Sequence, residues 1–188
     1  MDYPPRIYDY TLHVVGLIVG AALIVGHLLA LLRTAETQKW LVKLPRSKSA
    51  GIGILAIDAV WCFWLVSCVD LEEFDWLRVY LQVAIPVLFV LTVFFVEEFL
   101  SARALGILAM LIAEPILSAA FLRSEQSRLL LVLLAYIWLT VGMFWVGKPY
   151  LMRDQISWIT KSLFRWRALS GLGVLWGALI FSLALFAY

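Results

Sequence analysis

Apolar residues fall in six long runs separated by short polar or charged stretches, and no run alternates at period 2. Each run approaches the roughly 20 residues a helix needs to cross about 30 Å of hydrocarbon. A β-barrel also satisfies its backbone internally, but its strands would alternate, so the pattern predicts helices. The expected spans are Tyr10–Leu32, Ala50–Val69, Val79–Val96, Ala104–Leu122, Leu129–Leu151 and Ser170–Ala187, covering residues 1–188 as one domain. The fold class is an all-α integral membrane protein, its six transmembrane helices arranged as three helical hairpins.

Two connections are long. Thr34–Ser49 and Arg153–Leu169 each mix Trp and aliphatic residues with cations, and TQKWLVKL and QISWITKSLF read as amphipathic helices lying in the membrane interface. Arg33, Lys39, Lys43, Arg46 and Lys48 follow the first span, and Lys148, Arg153, Lys161, Arg165 and Arg167 follow the fifth. The positive-inside rule puts both groups in the cytoplasm. An even number of crossings separates them, so the assignments agree, and both termini fall outside. The second connection, DLEEFDWLR, is acidic, as an external loop would be.

The two linker regions also resemble each other. Val25-Gly26 answers Val146-Gly147, Arg33 answers Arg153, Trp40 answers Trp158, Lys43 answers Lys161, and Gly51 and Gly53 answer Gly171 and Gly173. The first and third hairpins therefore read as an internal repeat. The middle hairpin shares only the tail of the pattern, around Arg103–Leu108.

Composition sharpens the class. A hydrophobic fraction of 64% far exceeds the roughly 45–50% of soluble domains, and mean hydropathy is +0.95, so lipid is the main solvent. The expected location is the cytoplasmic membrane, multi-pass, with the first span retained rather than cleaved. A net charge of +2 gives no argument for nucleic acid. Cys62 and Cys68, six residues apart, fall on different faces of one helix, which reads as two free thiols. No metal-ligand spacing, phosphate loop or nucleophile with a base appears, so no cofactor and no metal are expected and catalysis is disfavoured.

Candidate chemistry rests on ionisable groups inside spans, which cost roughly 2.5–3.5 kcal/mol each on insertion scales. Asp58 lies about 12 Å into the second span and Glu114 about 16 Å from Arg103, expected near the bilayer centre. Glu114 precedes Pro115, and Pro86 interrupts the third span; each proline frees a carbonyl one turn back and favours a kink. Glu97 and Glu98, with Arg103 beyond them, form either a solvated turn or a cation-gathering mouth below Glu114. A double glutamate followed by arginine is similar to the motif of intramembrane CAAX-type proteases. The arginine is one residue too far, however, and the later histidines that chemistry requires are absent. His13 and His27 share one face of the first span, and His27 is a candidate relay toward Asp58. Gly16/Gly20 and Gly173/Gly177 have the small-xxx-small spacing that lets helices approach closely.

Two functions follow as expectations. One is a small transporter or channel that handles a proton or cation through Asp58, Glu97, Glu98, Arg103 and Glu114. The other is a structural or accessory subunit that packs against a membrane partner or a second copy of itself.

Overall fold

The computed structural model describes residues 7, 8, 10–96, 98–123 and 125–188. Six helices are long and apolar enough to cross a membrane: α1 (Leu12–Leu32), α3 (Lys48–Cys68), α4 (Leu77–Phe95), α5 (Leu100–Ala120), α6 (Leu129–Gly147) and α8 (Leu163–Phe186). Two shorter helices, α2 (Thr34–Lys43) and α7 (Tyr150–Thr160), occupy the long connections, and no strand occurs among the described residues. The chain is thus a helical bundle of the multi-pass membrane class.

Capping explains several helix ends. Thr11, Ser47 and Ser162 precede α1, α3 and α8, and their hydroxyls accept from the backbone N–H of Val14, Ala50 and Arg165. The Ser162 cap starts α8 seven residues before the expected span, so the helix carries Arg165 and Arg167 beyond its apolar stretch. It also cuts short the amphipathic helix expected through Phe164, since α7 ends at Thr160. Pro149 stops α6 at Gly147, four residues short of expectation. Helix α5 begins at Leu100, after Phe99 in the left-handed region (φ 55°), because Ser101 is anchored there. The Ser101 hydroxyl donates to the Leu44 carbonyl at 2.5 Å.

Small residues decide which helices pair. Helices α1 and α8 run antiparallel, with Gly16 against Ala184, Gly20 against the backbone of Phe181 and Gly177, and Gly177 against Leu23. Helices α5 and α6 meet at Gly106 and Gly142, where a Cβ on either glycine would stand 2.7 or 2.6 Å from the other's carbonyl oxygen. On α3, Gly51 abuts the backbone at Ser101 of α5. Helix α5 is therefore central, packed on α3, α6 and α1, while α4 leans mainly on α3 and buries none of its residues.

These pairings differ from the expected three hairpins. The extensive contacts are α1 with α8, α5 with α6, and α3 with α5 and α4, rather than α1 with α3, α4 with α5, or α6 with α8. Long connections leave α1 and α3, and α6 and α8, free to separate; only residues 96–99 lie between α4 and α5, but α5 turns its small residues to α3 and α6 instead. Close-packing seams then select partners from elsewhere in the chain.

Both connections lie at one end of the bundle, where α2 touches α7 and Leu44–Arg46 sits on α5. The Arg153 guanidinium lies 5.7 Å from the Phe99 ring centroid at the same end. At the opposite end, the Tyr188 hydroxyl donates to the Ser127 carbonyl at 2.9 Å, and the Trp61 indole donates to the hydroxyl of Tyr8, just before α1, at 2.5 Å.

Candidate functional site

Asp58 stands at the middle of α3, on the face it shares with Gly51 and Leu55, and that face is pressed against α5. It is only 2% exposed, and neither carboxylate oxygen has a hydrogen-bond partner among the described residues. Glu114, by contrast, is exposed on the outside of α5 within a span, and no hydrogen bond or ion pair reaches it among the described residues.

The two carboxylates are not brought together. Because α3 and α5 run parallel with Gly51 beside Ser101, Asp58 is level with about residue 108 of α5. Glu114 is six residues further along, about 9 Å higher at 1.5 Å per residue. It is also six residues from the C-terminal end of α5, so it lies in the outer third of the helix rather than near the centre.

The expected mouth below Glu114 takes another form. Glu97 lies outside the described residues, and Glu98 is exposed at the turn into α5. Arg103 does not pair with Glu98. Its guanidinium donates to the Val146 carbonyl at 3.0 Å, one of the last carbonyls of α6, where the helix end is both unsatisfied and partly negative.

His27 is turned toward α8, with Nδ1 2.9 Å from the Leu23 carbonyl and its ring lying over Gly173. His13 also meets α8, its Nδ1 2.6 Å from the Ala184 carbonyl. The shared histidine face therefore serves the α1–α8 seam, and no relay from His27 to Asp58 is assembled. Pro86 and Pro115 lie inside α4 and α5 as expected and remove the amide that would bond to the carbonyls of Gln82 and Leu111. The Gln82 side chain donates to the Ser67 hydroxyl at 3.1 Å and so ties α4 to α3.

Below that tie, a crevice of about 360 Å³ opens between α3 and α4, lined only by Ala56, Ala59, Val60, Phe63, Ile85, Pro86 and Phe89. It contains neither carboxylate. Cys62 and Cys68 are both free thiols, and no cluster of three or more His, Cys, Asp or Glu placed to hold a metal occurs among the described residues.

At the end of the bundle that holds Tyr8 and Tyr188, burial pushes the Tyr8 hydroxyl above its usual range. The indole hydrogen bond from Trp61 opposes this, and the charge of Glu114 adds to it. Burial also raises Tyr188, with Glu125 contributing. Glu125 carries no signal in the sequence, because a glutamate between Arg123 and Arg128 reads as part of a solvated loop. Its Oε2 is buried without a partner among the described residues.

No protein-family model matches the chain, and neither the curated proteins nor the solved structures yield a match. The chemistry is therefore read from these residues alone: one buried carboxylate in a helix interface, one carboxylate on an outer face, and an apolar crevice between α3 and α4 that holds neither.

Proposed function

We propose that this chain is a non-catalytic accessory subunit of a membrane assembly, working by lateral packing against a partner membrane protein or a second copy of itself. The observation that carries this reading is Glu114, an exposed carboxylate on the outside of a span with no hydrogen bond or ion pair among the described residues. In hydrocarbon such a group costs up to roughly 2.5–3.5 kcal/mol, and a polar or cationic group from a neighbouring helix removes that cost. Helix α4, which buries none of its residues, offers further unfinished surface.

In this reading the two connections face the cytoplasm of a cell membrane, following their cations, and both termini lie outside. The order span, amphipathic helix, span occurs in both α1–α2–α3 and α6–α7–α8. Together with the paired Val-Gly, Arg, Trp and Lys positions, it supports an ancestral duplication.

The test is the size of the assembly extracted from native membranes in mild detergent. The parent should run as a stoichiometric complex, and Glu114→Lys should release monomer more completely than Glu114→Gln does. A monodisperse parent monomer would overturn the proposal.

A second reading, a proton- or cation-handling transporter or channel, is favoured by Asp58 alone, because a buried carboxylate without a hydrogen-bond partner among the described residues is costly to keep unless it is used. Flux into proteoliposomes that is present in the parent and lost in both Asp58→Asn and Glu114→Gln would put that reading first.

A further inference from the structure

We infer that the junction of α2 and α7 is a binding site for the phosphate headgroup of an anionic phospholipid. A groove of about 330 Å³ lies there, lined by Gln38, Lys39, Val42 and Lys43 of α2 and by Thr160 of α7. Lys39 and Lys43 are one helical turn apart and exposed, and neither has an ion pair among the described residues. Two ammonium groups at that spacing repel each other, and a phosphodiester between them converts the repulsion into two charge-assisted hydrogen bonds. The Gln38 amide adds a donor, while Thr160 has its own hydroxyl proton on the Ile156 carbonyl at 2.8 Å.

Position argues for lipid as the source of the phosphate. Helix α2 is tethered at both ends, by α1 ending at Leu32 and α3 beginning at Lys48, so it cannot leave the membrane surface. Trp40 and Trp158 stand beside the groove's helices at 60% and 55% exposure, where an indole sits among headgroups. The local acids are already engaged: Glu36 pairs with Arg33 at 3.5 Å and Asp154 with Arg153 at 2.8 Å. The lysines are left as the attracting charge, and anionic headgroups are their complement. This inference does not depend on what packs against Glu114.

The test is native mass spectrometry of the full chain in neutral detergent, titrated with phosphatidylglycerol or with phosphatidylcholine of the same acyl chains. The parent should prefer phosphatidylglycerol at least about tenfold, since each lysine at a charged surface contributes roughly fivefold. Lys39→Gln/Lys43→Gln should lose that preference. Lys39→Arg/Lys43→Arg should keep it, as should Arg123→Gln at the other end of the bundle. Equal binding of the two lipids by the parent would overturn the site and leave the lysines to an acidic protein partner. Retained preference in the double glutamine variant would place the lipid elsewhere. Displacement of phosphatidylglycerol by inorganic phosphate at similar concentration would overturn lipid as the ligand in favour of a free anion.

Discussion

Gly173 of α8 lies directly beneath the imidazole of His27 of α1, so close that any side chain at 173 would occupy the space of the ring. The contact sits at one end of a seam that continues through Gly177, Gly20 and Gly16, and it is one of the places where the two most intimately packed helices meet. A glycine is required here by the approach of a neighbour rather than by backbone conformation.

Gly173→Ala should therefore destabilise the bundle by about 1–3 kcal/mol, the usual cost of overpacking. His27 must give up its place and its contact with the Leu23 carbonyl. Gly171→Ala, two residues away, meets open space and should be neutral or slightly stabilising. Unfolding in mixed detergent and SDS micelles checks both. His27→Ala combined with Gly173→Ala should recover part of the loss, because the two sites are in contact.

Arg103 gives a second prediction. Its hydrogen bond to Val146 satisfies a carbonyl at the end of α6, so Arg103→Met should cost about 1–3 kcal/mol in the same assay. Glu98→Gln, at an exposed turn, should change stability by less than about 0.5 kcal/mol. If instead the two act as a charge pair, both substitutions would cost alike and the double variant would add nothing.

Six spans, two connector helices and the small-residue spacing on α1 and α8 were legible because lipid imposes a long apolar run on every crossing and small residues mark close approach; the Gly106–Gly142 approach of α5 and α6 was not. Pairing was not legible. Gly51 and Gly53 look alike in the sequence, yet Gly51 meets the α5 backbone and Gly53 meets nothing within 4 Å. Which glycine is used depends on helix rotation, which a continuous apolar run does not encode. Trp166 makes the same point: it reads as an interfacial aromatic, but it is buried at 4% exposure and its indole donates to the Ala30 carbonyl. Of the candidate site, the identity of the intramembrane acids was readable from composition alone. Their separation was not, since it depends on α3 and α5 being parallel neighbours.

Tyr8 and Tyr188, at the end of the bundle away from the two connector helices, predict an alkaline transition. Burial raises both Tyr8 and Tyr188 above the ordinary value of 10.0. The folded form thus holds its phenol protons more tightly than the unfolded chain. The associated stability is complete below about pH 10 and is lost as pH rises through the folded-state values. Tyrosinate absorbance should show late-titrating phenols, and Tyr8→Phe and Tyr188→Phe should each remove part of that late phase. A titration unchanged by either substitution would count against the burial of these hydroxyls.

Asp58 is where stability and function pull apart. A buried carboxylate with both oxygens unpartnered costs more than an apolar side chain of similar size. Asp58→Leu should therefore raise stability by about 1–3 kcal/mol, and Asp58→Asn, which keeps polar atoms in the α3–α5 interface, should raise it less. If the chain acts only by packing, the stabilised Asp58→Leu variant still assembles with its partners through Glu114. If Asp58 handles a proton or cation, the same variant gains stability and loses flux. A fall in stability on Asp58→Leu would show that the carboxylate is held by a favourable interaction in the membrane, and the argument from an unpaired acid would fail.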